Sequence, residues 1–488
     1  MITAEPEPPG TENWGPAALQ QLRDARRRHQ DAVASQRSKW IRSNSYFYDR
    51  LKRLLRFIVP PQTRVLEVRC QTGQFLASVD PSYGVGVEVS NAMIECAREE
   101  HPQFSYVCCN PEELALGEKF DFIIFDHIFD TVDILTAFDR IRDHCSDDTQ
   151  LIVINFNHIW EPILKLASQL GFRSKFVEPN WVSENDIRGF LGLAGFRPVR
   201  KYRLLLMPKW IPLISAFAND FLARLPGIRR LCMMQVMVAR PICEGAKEKD
   251  VSVSVIVPCR NEAGNIKLGA ERIPTMGRYC EIIFCDDKST DTTADEIRHM
   301  QRLYPEKNIR LVQGPGTCKA ENVWAGFRAA QGDVLMILDA DLSVMPEELP
   351  MFLHALVSSN GRFVNGSRLV YPMQHQAMKF ANLIGNKVFG LLFSFLLDQR
   401  IKDTLCGTKA LWRRNWLRME AHLGSWGLKD LWGDYELLFG ASKLHLEIVE
   451  VPIHYQERMH GITKMTRVFA NGLRMLGICW HAWMRLGG

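Results

Sequence analysis

Residues 332–346, GDVLMILDADLSVMP, contain the pattern from which the fold of this chain is predicted. The unbroken apolar run at residues 334–338 is short enough to be a buried strand of a parallel sheet. Asp339 and Asp341 follow at once, where the strand leaves the sheet. Ligands of open α/β sheets bind at that carboxyl edge. The pair therefore indicates a site for Mg²⁺ or Mn²⁺ with a diphosphate, and a turn or helix cap is the alternative.

Other strands with acidic ends precede this one. The predicted elements are strands at residues 251–257, 281–285 and 310–313 and a helix at residues 319–330. The first strand leads to Glu262, and the second leads to Asp286 and Asp287. Because the carboxyl ends of parallel strands meet at one edge of a sheet, these carboxylates should converge on Asp339. So many acidic ends in one βαβ unit favour an active site over a set of helix caps.

Length and composition limit the possible classes of protein. A chain of 488 residues is too long for one ordinary domain, so two large domains are expected. The hydrophobic share of 47% and charged share of 24% are typical of globular proteins. A formal charge of +5 is too small to indicate nucleic-acid binding. The 13 cysteines include no C-x-x-C pair, which favours free thiols in a reducing cytoplasm.

The N-terminal region predicts no targeting segment. Residues 1–15 are acidic and Pro-rich, without the order of a signal peptide, and disorder is expected there. Residues 16–57 are predicted to be helical, and the arginines at residues 23–28 are interpreted mostly as a solvated face. The chain contains no uncharged apolar run of about 18 residues, so no spanning helix is expected.

Alternating strands and helices begin at residue 63. The predicted strands are residues 64–68, 83–89, 120–125 and 151–156, with a closing pair at residues 203–207 and 235–239. This order implies a doubly wound parallel sheet. The segment at residues 204–231 is apolar but is interrupted by Lys209, Asp220 and prolines. It is either a surface-lying amphipathic segment or an interdomain packing element.

Three motifs of this half, VLEVRCQTG, GVEVS and FDFIIFDHI, resemble the nucleotide-binding motifs of class I S-adenosylmethionine-dependent methyltransferases. The resemblance covers residues 46–241. It implies that Glu67 and Glu88 occupy the acidic positions, with Glu88 on the ribose, and that Gly73 matches the last glycine of E-x-G-x-G-x-G. Arg69 and Gln71 replace the first two glycines, and each brings a long side chain into the cofactor's space.

Two interpretations of this half therefore stay open. In one, it binds S-adenosylmethionine and methylates a sugar or lipid, with Asp126 and His127 as the candidate catalytic groups. In the other, it is a retained domain that packs against, regulates or positions the rest of the chain.

Six ordered motifs of the second half resemble an inverting family 2 glycosyltransferase, and within that family the dolichyl- or polyprenyl-phosphate mannosyl- and glucosyltransferases. The motifs are VIVPCRNEAGNI, CDDKSTDTT, DADLSVMPEEL, NGSR, DTLCGTK and EVPIHYQERMHGITK, within residues 251–467. The resemblance implies a nucleoside diphosphate sugar donor and a polyprenyl phosphate or other membrane-borne acceptor. The expected fold class is then α/β with two domains, a Rossmann-like methyltransferase-type parallel sheet followed by a GT-A glycosyltransferase domain.

The same resemblance assigns donor contacts by position. The residues concerned are Pro258, Arg260, Glu262, Asp287, Asp339, Ala340, Asp341, Arg368, Arg458 and Lys464. The first four would border the nucleoside, and the Asp339 and Asp341 pair would hold the metal and the diphosphate. Arg368 would meet phosphate near the acceptor. Arg458 and Lys464 would clamp phosphates from a late loop, with solvated loop charges as the alternative. Arg260 in place of the family's tyrosine leaves the base and sugar open.

A general base is needed only if the acceptor is a hydroxyl, because a lipid phosphate is already an anion at neutral pH. Asp434 is the candidate for that base and Glu436 is its rival. A carboxylate that merely starts a helix is the alternative for both.

Two apolar stretches concern the membrane. Residues 381–397 are either a surface insertion or core packing. The tail at residues 467–488 is a cationic amphipathic helix with Trp480 and Trp483, of the kind that lies in a bilayer interface, and packing onto the domain competes. Peripheral association with the cytoplasmic face is expected. The expected boundaries are an extension at 1–45, domains at 46–242 and 251–466, a linker at 243–250 and this tail.

Overall fold

The structure, a computed structural model, describes residues 16–169, 177, 179–243, 245–358, 362–370, 380–424, 430–456 and 468–486. It divides into two compact units, one ending at Ile242 and the other beginning at Cys243. Each unit is built on one seven-stranded sheet. The expected fold class, two α/β domains in succession, is confirmed.

The sheet of the first unit is mostly parallel. Its strands are β1 Arg64–Val68, β2 Tyr83–Glu88, β3 Ser105–Cys108, β4 Phe120–Phe125, β5 Cys145–Phe156, β6 Phe196–Leu204 and β7 Met234–Pro241. They lie in the order β3-β2-β1-β4-β5-β7-β6, with β7 antiparallel to both of its neighbours. The carboxyl ends of β1, β2 and β4 therefore meet at one edge.

Two strand boundaries expected from the sequence are wrong, since β5 begins at Cys145 and not at residue 151, and the first strand of the closing pair lies earlier than predicted. The closing pair is present, but β6 spans residues 196–204 and not 203–207. This strand lies at the end of the sheet and pairs only with β7, so it tolerates charged residues among its buried ones. The prediction placed this strand too far along the chain because the residues that follow β6 are also apolar.

The helices of the first unit cover both faces of the sheet. They are α1 Pro16–Ser43, α2 Ser45–Ile58, α3 Gln74–Ser78, α4 Asn91–Glu100, α5 Ile134–Asp143, α6 Glu161–Gln169, α7 Glu184–Leu193 and α8 Ile214–Asp220. Val65 and Leu66 are adjacent in β1 and fully buried, yet they belong to different core clusters. This is the alternation that a strand with two covered faces requires.

The sheet of the second unit has a parallel half and a mixed half. Its strands are β8 Ser252–Cys259, β9 Tyr279–Asp286, β10 Ile309–Gln313, β11 Val334–Ile337, β12 Arg362–Ser367, β13 Lys409–Trp412 and β14 Glu447–Pro452. Their order is β10-β9-β8-β11-β13-β12-β14, and β13 is antiparallel to both of its neighbours. The strands expected at β8 to β11 are all present, so the acidic ends of β8, β9 and β11 share an edge.

The helices of the second unit are α9 Ala263–Arg272, α10 Thr293–Leu303, α11 Lys319–Ala329, α12 Leu349–Val357, α13 Phe380–Leu397, α14 Arg413–Glu420, α15 Asp434–Lys443 and α16 Val468–Leu486. The apolar stretch at residues 381–397 lies in α13, where Phe393 is buried and Leu391 is exposed. Among the helices that the structure describes, none has both the length and the apolarity needed to cross a bilayer.

Candidate active site at the edge of the second sheet

Asp339 lies at the end of β11 against a lysine that sequence reasoning had not selected. Lys319, the first residue of α11, places its Nζ 2.5 Å from Asp339 Oδ1, and both side chains keep about three tenths of their surface exposed. The Asp339 carboxylate also touches the backbone at Gly407, where any side chain would collide with it. The carboxylate of Asp339, the ammonium group of Lys319 and the backbone at Gly407 therefore lie close together at a partly exposed position.

The charges around Asp339 act together. Burial raises the pKa of Asp339, but Lys319, Lys409 and Arg368 outweigh burial and hold that pKa below its ordinary value. Burial likewise lowers the pKa of Lys319, but Asp339, Asp434 and Asp341 outweigh it and raise that pKa. Asp339 is thus a stable anion and Lys319 a stable cation at neutral pH.

Asp341 follows Asp339 on the same turn. Its Oδ1 accepts hydrogen bonds from the backbone N (3.1 Å) and the Oγ (2.8 Å) of Ser343. Ala340 between the two aspartates is buried, whereas Asp341 is partly exposed. The turn places both carboxylates at the carboxyl edge of the sheet, as the sequence predicts.

Asp287 and Arg260 are brought together beside this position. Arg260 Nη1 lies 3.6 Å from Asp287 Oδ2, and the Arg260 side chain is largely exposed. The other oxygen of the buried Asp287 accepts a hydrogen bond from the backbone N of Gly316, 2.6 Å away. Pro258 lies near the end of β8, one strand from β11. These residues form the outer part of the edge.

Glu262 is used differently. Its Oε2 accepts a hydrogen bond from Asn265 Nδ2 at 2.8 Å, and its backbone N donates to Thr293 Oγ1 at 2.9 Å. These contacts fix the first turn of α9 against the start of α10. Glu262 therefore has a structural task in addition to the donor contact expected of it.

Arg368 already has an internal partner. Its Nε and Nη2 donate to the two carboxylate oxygens of Asp403 at 2.7 and 2.8 Å, and its guanidinium lies 5.1 Å from the Tyr455 ring centroid. Burial raises the pKa of the fully buried Asp403, but Arg368 outweighs it and lowers the pKa to about 2. This bidentate pair fixes the Arg368 guanidinium, a cation that also lowers the pKa of Asp339.

Asp434 begins α15 and forms an ion pair with a fully buried lysine. Lys409 Nζ lies 2.9 Å from Asp434 Oδ1 and 3.0 Å from Asn365 Oδ1, and it also donates to the Cys406 backbone O. A second carboxylate, Asp430, accepts the backbone N–H groups of Trp432, Tyr435 and Glu436. Burial and the Asp434 charge raise the pKa of Asp430. Asp434 therefore neutralises the positive charge of the fully buried Lys409.

Glu436, the rival of Asp434, accepts the backbone N of Gly424 at 3.1 Å. Lys319, Gly407 and Asp434 line one narrow cleft together with Trp432 and Gly433. Asp434 thus shares this cleft with the lysine that holds Asp339. The two cations expected in the late loop, Arg458 and Lys464, lie outside the described residues.

A divalent ion fits the carboxylates at the end of β11. Mg²⁺ in nucleotide sites is held by one or two carboxylates, with the remaining ligands from phosphates and water. Asp339 and Asp341 offer two such groups, both partly exposed. Within the part of the chain that the structure describes, no three or more His, Cys, Asp or Glu side chains gather as a metal site. Asp339 and Asp341 are thus the residues that could hold such an ion, whose remaining ligands would come from a diphosphate and water.

The corresponding edge of the first unit keeps the expected turn. Arg69 and Gln71, which stand in the glycine positions, have φ angles of 65° and 51°, and Gly73 has 72°. The backbone thus adopts the left-handed conformations that glycine would favour, at a steric cost of about 1–2 kcal/mol for each of the other two residues. Glu67 at the end of β1 accepts the backbone N of Leu76, and burial raises its pKa well above the ordinary value.

The Glu88 carboxylate is satisfied by the chain itself. Glu88 is only 1% exposed. Its Oε2 accepts the backbone N of Gln71 at 3.0 Å, its Oε1 accepts the backbone N of Val89 at 2.7 Å, and Arg69 Nη1 lies 3.5 Å away. Both oxygens of this almost fully buried carboxylate therefore have partners within the chain.

Helix α1 adds more internal partners. Arg69 also forms an ion pair with the buried Asp130, whose carboxylate receives Gln30 Nε2 at 3.1 Å and lies 3.5 Å from Arg26 Nε. Arg26 is an exception to the interpretation of the arginines at residues 23–28 as mostly a solvated face, because it is buried and its charge is neutralised inside the unit, whereas Arg27 and Arg28 are exposed.

Gln71 also takes part in the internal contacts at this edge of the first sheet. Arg37 from α1 donates to Gln71 Oε1 at 2.5 Å, and Gln71 Nε2 contacts the ring of His127. His127 Nδ1 lies 2.6 Å from Asp126 Oδ2. Asp126 and His127, the candidate catalytic groups, are therefore buried, and His127 is in contact with Gln71, which stands in a glycine position of the motif. Side chains and buried ion pairs occupy this edge, and the residues present do not fit S-adenosylmethionine.

Comparison with known proteins agrees with both halves of the fold. Residues 66–153 match the family model of a methyltransferase domain, and residues 254–418 match that of glycosyl transferase family 2. Dolichol-phosphate mannosyltransferase of Pyrococcus furiosus is 30% identical over 44% of this chain and 59% of its own length. Undecaprenyl-phosphate 4-deoxy-4-formamido-L-arabinose transferase of Edwardsiella ictaluri is 30% identical over 43% of this chain and 62% of its own length. The chain thus spans about three fifths of these relatives.

Among solved structures, an S-adenosylmethionine-dependent methyltransferase of Thermotoga maritima aligns with a TM-score of 0.37 at 17% identity, covering 44% of this chain and 98% of that one.

Proposed function

We propose that this chain, a methyltransferase-like domain joined to a family 2 glycosyltransferase domain, transfers a sugar from a nucleoside diphosphate to a polyprenyl phosphate or another membrane-borne acceptor. The observation that carries the proposal is the pair of partly exposed carboxylates, Asp339 and Asp341, at the end of β11. There Asp339 lies under the influence of Lys319, Lys409 and Arg368. This arrangement supports binding of a diphosphate together with a cation.

The reaction is a direct displacement at the anomeric carbon, which gives a β-linked product from an α-linked donor. The bond from the anomeric carbon to the diphosphate oxygen breaks as the acceptor oxygen attacks, and negative charge grows on the departing diphosphate. Lys319, whose Nζ lies 2.5 Å from Asp339, would place positive charge near that oxygen. A divalent ion held by Asp339 and Asp341 would supply further Lewis-acid stabilisation.

The acceptor class follows from the names of the relatives and from the need for a base. Both named relatives act on polyprenyl phosphates. A phosphate acceptor is already ionised, so it requires no side chain to remove a proton. The pairing of Asp434 with the buried Lys409 supports a role for Asp434 in fixing the cleft. A role as base remains the alternative if the acceptor is a hydroxyl.

Peripheral contact with the cytoplasmic face of a membrane belongs to the same proposal. In α16, Leu473, Trp480 and Met484 are exposed, while Ile478 and Ala482 are buried. The helix thus packs one apolar side and presents another, with Arg474 and Arg485 on the same helix. Such a helix supports binding at a bilayer interface, where a polyprenyl phosphate would be found.

The first unit, in this proposal, is a non-catalytic scaffold. The observation that favours this over methylation is the internal ion pairing of Glu88 and Asp130 with Arg69. Methyl transfer would require the Arg69 and Gln71 side chains to leave buried positions. A titration of the full chain with S-adenosylmethionine separates the alternatives, and we expect no detectable binding.

A donor screen tests the transferase proposal. The full chain is incubated with Mg²⁺ or Mn²⁺, a polyprenyl phosphate and each of several nucleoside diphosphate sugars, and product masses are read directly. We expect one glycosyl-phosphoryl-polyprenol to form, and to be lost when the metal is chelated. Sugar transfer only to hydroxyl acceptors would refute the acceptor class. Absence of product from every donor and acceptor would refute the transferase proposal.

A further inference from the structure

The segment at residues 209–231, between β6 and β7 of the first unit, presents apolar side chains that the proposed function does not use. The exposed ones, in chain order, are Trp210, Ile211, Leu213, Ile214, Phe217, Phe221 and Leu231. The exposed fraction is 85% for Leu213 and 59% for Phe217. Scattered exposed leucines are common on protein surfaces, but a continuous series of large side chains on one short segment marks an interaction surface.

The polarity of α8 in this segment is partly inverted, because two of its polar residues face inward. Ser215 and Asn219 are buried. Ser215 Oγ donates to the Lys209 backbone O at 2.7 Å and accepts the Ile211 backbone N at 2.8 Å. The Asn219 amide spans the backbone N and O of Met207 at 3.0 and 2.7 Å. The polar side of α8 is therefore used to fasten the segment, and its apolar side points outward.

The backbone also holds Leu213 outward. Leu213 has a φ angle of 63°, in the left-handed region that leucine rarely adopts. Such a conformation persists only where the surrounding structure imposes it. The Ser215 hydrogen bonds to residues 209 and 211 close the turn just before Leu213 and supply that constraint. The most exposed leucine of the segment is thus fixed in place by buried hydrogen bonds.

The charge of the segment identifies its partner. Residues 209–231 contain Lys209, Arg224, Arg229 and Arg230 but only one acidic residue, Asp220. Arg50 of α2 lies 2.5 Å from Asp220 and neutralises it. Trp210 packs on Tyr46, with ring centroids 5.2 Å apart, so two amphipathic aromatic rings lie beside the apolar side chains. Apolar side chains with aromatic and basic neighbours match the interface of a bilayer that carries anionic headgroups.

We infer that residues 209–231 insert their apolar side into the surface of an anionic membrane, so that the methyltransferase-like unit makes a membrane contact of its own. This contact is made by other residues than those of α16. Vesicle binding can be measured without a sugar donor, so a failure of this inference can be told apart from a failure of the proposed sugar transfer. The contact gives the scaffold a task, which is to hold the chain at the surface where the proposed acceptor lies.

Co-sedimentation of the full chain with vesicles tests the inference. The vesicles contain phosphatidylglycerol and phosphatidylcholine in one arm and phosphatidylcholine alone in the other. We expect the double variant Leu213→Asp, Phe217→Asp to bind anionic vesicles at least about tenfold more weakly than the unchanged chain. Leu193→Asp is the matched control, because Leu193 is 75% exposed in the same unit but lies at the end of α7. We expect the control to bind as the unchanged chain does.

The single variant Leu213→Asp alters only an exposed side chain, and it tests the same contact without a risk to folding. Binding of this variant at full strength, or an equal loss in the Leu193→Asp control, would overturn the inference. A change from dimer to monomer in the variants, measured by light scattering, would assign the surface to a second copy of the chain and would also overturn it. Equal binding of the unchanged chain to both kinds of vesicle would refute the role of the basic residues.

Discussion

The carboxyl edges of the two sheets are built alike but end in different states. The strand orders begin in the same way, β3-β2-β1-β4 in the first unit and β10-β9-β8-β11 in the second. In both units, acidic residues follow the first, second and fourth strands in chain order. The topology therefore brings carboxylates together twice in one chain.

Burial makes the difference, because both edges take counter-charges from the chain itself. In the first unit, Arg69 pairs with Glu88 and Asp130, and Arg26 pairs with Asp130, and both carboxylates are almost fully buried. In the second unit, Asp339 and Asp341 stay partly exposed, and Lys319 reaches Asp339 from the rim of a cleft. Under the proposed function, the buried and internally paired edge is closed to ligands, whereas the edge whose carboxylates stay partly exposed takes a metal and a diphosphate.

The largest effect is expected at the open edge. Asp341→Ala removes one of the two proposed metal ligands and should lower sugar transfer at least about a thousandfold. Because Asp341 is partly exposed, the fold should persist, which circular dichroism checks. Asp295→Ala, at a largely exposed site in the first turn of α10, is the matched control and should keep full activity. Full activity of Asp341→Ala with the metal chelated would show that Asp341 and the metal are not needed for sugar transfer, and it would contradict the proposed metal site at the edge of the second sheet.

A substitution at the buried edge of the first unit should lower the free energy of unfolding. Arg69→Ala leaves Glu88 and Asp130 buried without their main partner, and we expect a loss of about 3–5 kcal/mol in unfolding free energy. Hydrogen exchange of β1 and β2 in the full chain locates that loss. Arg64→Ala is the control, since its exposed pair with Glu118 is worth at most about 1 kcal/mol. If Arg69→Ala costs no more than the control, the ion pairs do not hold the edge closed.

A pH-dependent effect sharpens the comparison, because the second unit also contains buried ion pairs, one of which is Arg368 with Asp403. The lowered pKa of Asp403 means that its pairing with Arg368 stabilises the fold fully above about pH 4 and is lost as the pH falls towards 2. The gap in unfolding free energy between the unchanged chain and Asp403→Asn should narrow by about 2 kcal/mol between pH 5 and pH 2. A gap that stays constant over this range would show that the pair is not ionic.

The smallest effect on the rate of sugar transfer is expected at Asp434, although Asp434→Asn should lower stability because it leaves the buried Lys409 without its carboxylate partner. If the acceptor is a phosphate, Asp434→Asn should keep its rate within about tenfold, because no proton has to be removed. Glu436→Gln provides the comparison with the rival carboxylate. A drop of about a thousandfold in either variant, with the fold retained, would instead point to a hydroxyl acceptor and to that residue as its base.

Much of the fold follows from local sequence. The bounds of β1 and β4 agree with the apolar runs at residues 64–68 and 120–125, since buried parallel strands appear as short continuous apolar segments. Strands β12 to β14 escaped prediction. One of them, β12, ends in the polar letters NGS, yet all of its residues but the first are buried in the sheet.

The open site was only partly predictable. The acidic residues of the edge are visible in sequence, because they directly follow the strands. Their cations are not, because Lys319 and Lys409 reach Asp339 and Asp434 from elements formed elsewhere in the chain. Charge pairing over such separations depends on the packed fold. For the same reason, the helical pattern does not distinguish the buried Arg26 from the exposed Arg27 and Arg28.

The most direct measurement is a pair of equilibrium titrations of the full chain, one with nucleoside diphosphates in the presence of Mg²⁺ and one with S-adenosylmethionine. We predict that a nucleoside diphosphate binds, that binding weakens when the metal is chelated or Asp341 is replaced by alanine, and that S-adenosylmethionine does not bind. Binding of S-adenosylmethionine by the unchanged chain, or nucleotide binding that is indifferent to both the metal and Asp341, would contradict the assignment of one closed and one open edge.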